Sequence, residues 1–479
     1  MPHVVMVHYV GATAQSRSVS ASVALDHRKA GNTVTIADIS QFTTISQDLA
    51  PAWAARLFGQ RVHVGKFEKE MSDNDIRIET LRPQINQPAP LPPEIRDESA
   101  QAVKSELLTY FRTEKLNWRN PYLRWLHAKL SSAAVQTYFA LSSLIESEKP
   151  DLVLIPNGRT SRQKVARKLA ERKKLPFMFY EMGRAKRDSY YLGTTQPHDR
   201  IASQREIDSL TATLSREEIE SLGNAMISER MTLGSSVNKY SKRWTAQTAQ
   251  DEILTSENKT AVFFTSSTDE FLAFGPMWNI DSWTEQFESF DLLMSDLEDR
   301  GVQCTLRVHP NLLGKSHSYV SKTIASAKAL GERHPELRII WHTSPVNSYD
   351  LVRESAYVIT EHSTIGLESS LMGKPVWVTE AAQWDQVADV RQVLGPEEFH
   401  GNTMELWDVN PLGAQKFAAY WMMQEHPLLY SWSDWASWNP SKPPFVMKVA
   451  QLLGKNPLRH KMHLLALEWD RVRNSLSGN

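Results

Sequence analysis

Short apolar runs that end in small or polar residues, each followed by a stretch with helical periodicity, constrain the fold of this 479-residue chain most strongly. HVVMVHYVG opens the chain at His3, and DLVLIPNGR follows the same plan from Asp151. A second series begins near residue 259 with KTAVFFTSS and continues through VQCTLRVHP, LRIIWHT, YVITEHST and KPVWVTE. Apolar strands that alternate with helices indicate mainly parallel sheets covered on both faces. The sequence therefore predicts an α/β protein with two doubly wound domains that face a cleft, with added helices.

The length of the chain also favours two domains, because single hydrophobic cores stop growing beyond about 250–300 residues. The spacing of the patterns predicts a first domain over 1–202, which carries a helical insert at about 98–147. A helical connector is expected over 203–257 and a second domain over 258–411. The remaining segment, 412–479, is expected to be a helical tail, with packing back on the first domain as one possible arrangement.

The composition restricts the partners and the compartment. Lys and Arg total 54 against 55 Asp and Glu, a formal net charge of -1, which argues against nucleic acid as a partner. The single Cys304 favours a reducing compartment. The N-terminus lacks a signal-peptide pattern, and no apolar run reaches the roughly 20 residues of a spanning helix. We expect a cytoplasmic protein, with peripheral contact to the inner membrane face left open. The cation-rich segment 164–174 suits a solvated face, anionic lipid or a polyanionic acceptor. Trp432, Trp435 and Trp438 suit core packing, an acceptor platform or a membrane-interface contact.

The stretch TEHSTIGLESSLMGKPVWV combines a short strand, a small-residue turn and an apolar helix. Ser363 and Thr364 are expected at the helix N-terminus, where exposed N–H groups and the helix dipole attract anionic phosphate. Gly366 would let a ligand approach the backbone. Glu368 lies one turn later, within reach of a ribose diol. The alternative is an ordinary helix cap followed by a surface glutamate.

Two other strand ends of the second domain carry polar side chains. In LRVHP the alternation of a strand places Arg307 and His309 on one face, and Pro310 ends the strand. Ligands bind outside the carboxyl ends of strands in open α/β sheets, so this pair suits a phosphate or diphosphate leaving group. Ser266 and Ser267 follow the strand in FFTSS and are expected to meet the same phosphates.

The first domain offers candidates at the ends of its own apolar runs. Asn157 and Arg159 follow one run, and Glu181 ends the next, so the three are expected in one crevice. A carboxylate at the edge of a cleft is placed to act as a general base on an acceptor hydroxyl. His8, at the end of the first run, is the rival base. The structural alternative is a salt bridge between Glu181 and Arg159 that merely orders the loops.

Several common signatures are missing from the sequence. It contains no Gly-x-Gly-x-x-Gly and no Walker-type loop, which lowers the expectation of a nicotinamide enzyme or an NTPase. No His, Cys and Asp grouping has the spacing of a zinc site. The sequence therefore predicts neither a metal site nor a bound cofactor.

Taken together, SSTDE, LRVHPNL, the segment from SPVNSYD to LMGKPV, NGR and YEMG resemble the bacterial capsule and surface polysaccharide biosynthesis glycosyltransferases. The resemblance is strongest over about 259–380. It implies the glycosyltransferase B fold, two Rossmann-like domains, and a nucleotide-sugar co-substrate. The second domain would bind the nucleotide and the first the acceptor glycan or lipid-linked acceptor. The implied roles are phosphate contact for Arg307, His309, Ser363 and Thr364, ribose contact for Glu368, and acceptor-side contact for Asn157, Arg159 and Glu181.

One departure from the family pattern leaves the stereochemistry open. Many retaining enzymes of this fold carry two Glu residues eight positions apart. Here Thr360 stands eight residues before Glu368, and Glu361 only seven. Related folds also include sugar-nucleotide 2-epimerases and polyol-phosphate transferases, and a non-catalytic glycan-binding or assembly protein is the remaining alternative.

Overall fold

The structure is a computed structural model, and it describes residues 1–9, 14–39, 60–82, 90–111, 113–186, 188–232, 260–275, 278, 283–315, 317–399 and 404–431. The expectations for the connector beyond 232, for the tail beyond 431 and for Trp432, Trp435 and Trp438 lie outside these residues.

The strands are β1 (His3–His8), β2 (Thr33–Asp38), β3 (Arg77–Thr80), β4 (Leu152–Pro156), β5 (Phe177–Met182), β6 (Ser189–Gly193), β7 (Thr260–Phe264), β8 (Gln303–Arg307), β9 (Arg338–Ile340), β10 (Tyr357–Thr360), β11 (Val376–Val378), β12 (Arg391–Gln392) and β13 (Glu425–Pro427). The α-helices are α1 (Ala14–Lys29), α2 (Gln60–Asp73), α3 (Pro93–Phe111), α4 (Pro121–Glu148), α5 (Ser161–Arg172), α6 (Arg200–Thr211), α7 (Arg216–Met231), α8 (Thr268–Leu272), α9 (Gln286–Asp299), α10 (His317–Arg333), α11 (Ser348–Glu354), α12 (Thr364–Leu371), α13 (Pro396–Phe399) and α14 (Leu412–Met423).

The strands form two separate sheets with the same internal order. The first sheet runs β3-β2-β1-β4-β5-β6-β13, and the second runs β9-β8-β7-β10-β11-β12. Every pairing is parallel except β5 with β6 and β6 with β13. In each sheet the chain starts in the middle, builds one half and then crosses over to build the other, which is the doubly wound order of a Rossmann-like domain. The expected fold class, two such α/β domains with added helices, is confirmed.

The core explains why the strands read as continuous apolar runs. Along β1, Val5 and Val7 belong to one buried cluster, while Val4 and Met6 belong to another on the opposite face. Side chains alternate across a strand, so a sheet covered on both faces needs apolar residues at every position. Helices α4 and α5 cover one face of the first sheet, and α1 and α2 cover the other.

The helical insert divides into α3 and α4 at a capped boundary. The Asn120 side chain accepts from the backbone N–H groups of Tyr122 and Leu123, and Pro121 occupies the first helical position. Asn as a cap and Pro at the first position are both favoured, because they match the unpaired N–H groups of a helix start.

The chain returns to the first sheet after the second domain. Helix α14 packs against α7 and α6, and β13 then pairs antiparallel with β6. The Glu425 carboxylate accepts from the backbone N–H groups of Arg184, Ala185 and Lys186 and from the Ser189 hydroxyl. The described part of the segment expected as a helical tail therefore consists of the helix α14 followed by the strand β13, which joins the first sheet. Among the described helices, none combines the length and the apolar character needed to cross a bilayer.

Candidate functional site

The second sheet has its crossover between β7 and β10, and a cavity lies at the carboxyl ends of these strands. Loops that leave neighbouring strands in opposite directions leave a crevice, which is where ligands bind in open α/β sheets. The cavity measures about 290 Å³ and is bordered by Thr268 after β7, by Glu361 and His362 after β10, and by Glu380 after β11. Its other lining residues are Glu114, Phe271, Leu272, Trp278, Trp283, Thr284, Glu285, Gln286, Phe287, Tyr319, Lys322, Thr323 and Ser326.

Glu361 is the most strongly perturbed acid of this cavity. Its residue is only 3% exposed, and its carboxyl group accepts from the Gln286 amide. Burial, together with the nearby Glu380 carboxylate, raises the pKa of Glu361 well above its usual range. Two carboxylates that interact inside a poorly solvated site cannot both ionise easily. The pair can therefore offer one hydroxyl donor and one carboxylate acceptor to a ligand.

His362 is held neutral in the wall of the cavity. Its Nδ1 lies 2.7 Å from the carbonyl oxygen of Ala381, and its ring stacks on Phe271 with centroids 4.1 Å apart. Burial lowers the pKa of His362 to about 4. Since Nδ1 donates to the carbonyl, Nε2 of this neutral ring is the acceptor.

The two domains meet at the edge of the cavity. Lys322 on α10 bridges Glu285 and Glu114, and Glu114 comes from the turn between α3 and α4 of the insert in the first domain. This single cation faces the acidic side chains of the lining. The described lining is thus acidic, aromatic and built from both domains.

The Ser363–Thr364 turn has the geometry that the sequence predicts. Ser363 is the N-cap of α12, and Thr364 is its first residue. Gly366 serves a different purpose from the one expected, because a Cβ atom there would lie 2.3 Å from Cη2 of Trp384. The space beside this glycine is filled by the buried indole rather than left for a ligand.

Glu368 lies one turn into α12, as expected, but in a buried ion pair. Its carboxylate is bonded by Arg230 from α7 and, at 2.7 Å, by the Tyr349 hydroxyl. Arg230 also donates to the Thr364 hydroxyl at 3.3 Å and to the Arg184 carbonyl at 2.9 Å. Arg230 therefore connects the start of α12 with the first domain, and ribose contact by Glu368 stays a prediction.

Arg307 and His309 end β8 next to β7, but the arginine points away from solvent. Arg307 is 1% exposed, and its guanidinium donates to the carbonyls of Trp341 and, at 3.1 Å, Ser344. These bonds make Arg307 a brace for the loop after β9, and phosphate contact by Arg307 stays a prediction. His309 is half-buried, and its Nδ1 accepts from the Asn311 N–H at 3.0 Å, which leaves the ring proton on Nε2.

The turn after β7 contributes one polar group with an unmet hydrogen bond. The Ser266 hydroxyl is buried and has no hydrogen-bond partner within the described residues. Ser267 caps the short helix α8 without a side-chain hydrogen bond. Asp269 and Lys315 form a buried ion pair at 2.7 Å behind this turn. Asp269 is therefore engaged in a buried ion pair, whereas Ser266 remains available to a ligand.

The corresponding crossover of the first sheet lies between β1 and β4, and its described side chains contact other parts of the first domain. His8 is 1% exposed, its Nδ1 lies 2.7 Å from the Ser20 hydroxyl, and its ring is near Phe67. Burial and the charge of Arg17 lower the pKa of His8 to about 3. A group this weakly basic does not suit a general base near pH 7.

Asn157 and Glu181 meet in the first domain, while Arg159 turns elsewhere. The Asn157 amide donates to Glu181 at 2.8 Å, and the second carboxylate oxygen pairs with Arg184 at 3.0 Å. The structural alternative, a salt bridge from Glu181 to Arg159, is wrong, because Glu181 pairs with Arg184 instead. The Arg159 guanidinium lies 5.1 Å from the ring centroid of Phe274, a residue of the second domain.

Stacked rings pack between the domains at this point. Phe274 stacks on His198 with centroids 4.1 Å apart, and the Trp278 indole donates to the His198 carbonyl at 2.9 Å. Burial and the charge of Arg184 lower the pKa of His198 well below its usual range. These described rings therefore pack between the domains beside Arg159, and Phe271 lines the cavity next to them.

Sequence reasoning missed most of the cavity lining. Glu361 and His362 directly follow the strand YVIT, so their position after a buried strand was a usable signal. Glu114 and Lys322 come from a turn and a helix distant in sequence, and no local pattern marks them. Among the described residues, no group of three or more His, Cys, Asp or Glu side chains is arranged to hold a metal ion.

Among the known proteins compared with this chain, only solved structures match it. No protein-family model matches the sequence, and no curated protein matches it either. A beta-Kdo 2,4 transferase, KpsC of Thermosulfurimonas dismutans, is 13% identical, with 57% of this chain and 80% of that chain covered, at a TM-score of 0.37. A putative UDP-N-acetylglucosamine 2-epimerase from Listeria monocytogenes is 12% identical, with 88% of both chains covered, at a TM-score of 0.28. The spinosyn rhamnosyltransferase SpnG is 13% identical, with 94% and 99% covered, at a TM-score of 0.29. Likenesses at this level carry no statement about reaction or substrate, and the fold assignment rests on the two sheet topologies.

Proposed function

We propose that the chain is a glycosyltransferase that moves a sugar from a nucleotide-sugar donor to a surface polysaccharide or a lipid-linked acceptor without a metal. The observation that carries this proposal is the cavity at the crossover of the second sheet, which is lined by residues of both domains. A transferase must hold a donor and an acceptor together while it excludes water. A site between two α/β domains provides that arrangement.

The chemistry of the lining suits rings that carry hydroxyl groups. Aromatic faces from Trp278, Trp283 and Tyr319 offer stacking surfaces for a base or a pyranose. The carboxyl pair of Glu361 and Glu380 offers one donor and one acceptor to a diol. A neutral, ring-shaped and polar group is therefore the occupant that fits the cavity.

The phosphates of the donor are better placed outside the cavity, at the turns beside it. The lining acids outnumber Lys322, so a diphosphate inside would meet net repulsion. The N-terminus of α12 at Ser363 and Thr364, the Ser266 hydroxyl and the Nε2–H of His309 provide donors at neighbouring strand ends. Fixed donors of this kind stabilise the charge that develops on a leaving phosphate.

The acceptor proton requires a base, and two carboxylates are candidates. Glu181 accepts hydrogen bonds from Asn157 and Arg184 at the carboxyl ends of the first sheet. Glu380 is the candidate inside the cavity. His8, the rival in the sequence, is set aside because it is buried and weakly basic.

A thermal-shift panel of UDP-, GDP-, CMP- and CDP-linked sugars tests the proposal. A ligand at about 100 times its dissociation constant should raise the free energy of unfolding by roughly 2.7 kcal/mol. The substitution Ser326→Trp fills the cavity and should abolish that shift. Ser295→Trp, the same change on the exposed face of α9, is the matched control and should leave it intact.

Two results would overturn the proposal. Binding of no nucleotide sugar at saturating concentration would favour a glycan-binding or assembly protein. Conversion of a nucleotide sugar to its epimer without any acceptor would identify an epimerase instead. Transfer of label from the bound donor to an acceptor glycan, lost in Ser326→Trp, is the expected outcome.

A further inference from the structure

Two cation-rich segments lie on the first domain, and they differ in how their charges are used. The first is helix α5, which contains many Lys and Arg residues. In the structure these cations are paired: Lys164 and Lys168 with Glu98, Arg167 with Glu171, Arg172 with Glu94, and Lys173 just beyond the helix with Glu146. Such a face is largely neutralised and is a poor electrostatic partner.

The second segment begins in the turn before α4 and continues along its first turns. From Lys115 to Ile145 the sequence contains no Asp or Glu. Lys115, Arg119, Arg124 and Lys129 are exposed, and none of them forms an ion pair with another described residue. This segment therefore presents uncompensated positive charge.

Two tryptophans stand among these cations. Trp118 is 44% exposed and Trp125 is 49% exposed, and they are the exposed tryptophans of the described chain. Trp118 packs edge-on against His127 at 5.2 Å, and Trp125 stacks on Tyr122 at 5.7 Å. Both large apolar side chains are thus held in place at the surface instead of being folded into the core.

The opposite face of the same helix explains why these residues remain outside. Leu123, Leu126 and Leu130 are buried against α3, together with Leu107 and Phe111. With this stripe directed into the protein, Arg124, Trp125 and Lys129 face solvent. We name the surface made by Lys115, Trp118, Arg119, Arg124, Trp125 and Lys129 the aromatic–basic surface.

We propose that the aromatic–basic surface docks on an anionic lipid bilayer. Tryptophan is enriched at the membrane–water interface, where its ring is apolar and its N–H remains hydrated. Lys and Arg side chains near an anionic leaflet add a favourable electrostatic contribution. Exposed tryptophans among uncompensated cations have this combination of properties, whereas a protein partner with an apolar interface would not require the acid-free charge.

The position of the surface links it to the cavity. Glu114 lines the cavity, and Trp118 is four residues further along the same turn. Four residues span at most about 14 Å. If the proposed function holds, a lipid-linked acceptor anchored in the bilayer would present its headgroup within this short distance of the donor.

Vesicle flotation of the full chain, without donor or acceptor, tests the docking separately from the proposed function. Binding is expected to vesicles that contain phosphatidylglycerol and to be weaker on phosphatidylcholine alone. Raising the salt concentration from about 0.1 M to about 1 M shortens the screening length from about 10 Å to about 3 Å and should weaken binding.

Surface variants locate the contact. Each cation contributes about a fivefold factor near an anionic surface, so Arg119→Gln with Arg124→Gln should lower the partition coefficient about 25-fold. Trp118→Ala with Trp125→Ala should reduce binding at both salt concentrations. Arg172→Gln with Lys173→Gln, at the C-terminal end of α5, is the matched control and should bind as the wild type does.

The outcomes separate the possible occupants. Unchanged vesicle binding in both surface variants, with folding verified by circular dichroism, would overturn the proposal. The proposal would also be overturned if the wild type does not bind vesicles and forms a dimer that dissociates in the tryptophan variant. A second copy of the chain would then cover this surface. Loss of vesicle binding with the nucleotide-sugar thermal shift retained would support it.

Discussion

The two sheets share one strand order, but the described side chains at their two crossover points differ. At the first, between β1 and β4, His8 is buried against Phe67, and Asn157, Glu181 and Arg184 bond to one another. At the second, between β7 and β10, the side chains leave a cavity of about 290 Å³. The same topology therefore carries different side chains at its two crossover points.

The difference follows from what each strand end carries. At the first crossover Glu181 is bonded by both Asn157 and Arg184, so an acid there has complementary donors beside it. The second places Glu361 next to Glu380, and like groups do not close a gap between them. The second crevice is therefore lined by an acid pair and by large aromatic side chains.

The strongest test of this comparison removes the side chain that joins the two crossovers. Arg230→Ala leaves the buried Glu368 without its cation, and breaking such a pair costs about 3–5 kcal/mol. Urea denaturation should show this loss in the free energy of unfolding. Arg216→Ala, at the exposed start of the same helix, should cost little. A loss below about 1 kcal/mol in Arg230→Ala would mean that the two crossovers are not joined by this contact.

A smaller effect is expected from one glycine in each crossover. A Cβ atom on Gly158 would lie 2.4 Å from the Phe179 ring, and one on Gly366 would lie 2.3 Å from Trp384. Overpacking of this kind costs about 1–3 kcal/mol. Gly158→Ala carries an additional cost of about 1 kcal/mol, because φ is +81° at Gly158.

Thermal unfolding of the two alanine variants measures this difference. The first crossover should be the less tolerant, and equal losses would show that backbone conformation does not distinguish them. Trp384→Phe combined with Gly366→Ala should recover part of the stability, since the smaller ring relieves the contact.

The smallest effect concerns the pH dependence of stability. The two crossovers are expected to change the free energy of unfolding with opposite sign as the pH rises. The pKa of His8 is lowered to about 3, so its contribution to stability is complete above the unfolded value near 6.5 and is lost as the pH falls towards 3. The slope is at most about 1.4 kcal/mol per pH unit. The pKa of Glu361 is raised, so the native state binds the extra proton and stability falls as the pH rises above the unfolded value of this group.

The substitutions His8→Asn and Glu361→Gln separate these responses in unfolding experiments at several pH values. His8→Asn should flatten the loss of stability between about pH 6 and pH 5. Glu361→Gln should gain about 1 kcal/mol at pH 8 and nothing near pH 4, because the neutral amide avoids burying a charge. Glu220→Gln, an exposed change on α7, should stay within about 0.5 kcal/mol throughout.

Much of the fold can be predicted from local pattern. Runs such as YVIT and VVMV are apolar at every position, which indicates strands buried on both faces, and the turn at Ser363 and Thr364 carries a recognisable helix start. The site is less predictable. Arg307 and Gly366 have the residue types of a phosphate site, but the first braces a loop and the second accommodates Trp384. Residue type alone does not show whether a side chain faces a ligand or a neighbouring loop.

The sequence by itself determined two doubly wound α/β domains, the strand ends at which polar residues gather, and the start of α12, because these depend on residues near one another in the chain. Tertiary structure alone decided that β13 returns to the first sheet, that Arg230 pairs with Glu368, and that Glu114 and Lys322 meet at the cavity. These contacts join residues from 138 to over 200 positions apart. Their formation depends on how packed helices bring distant side chains together, and no periodicity in the sequence encodes that distance.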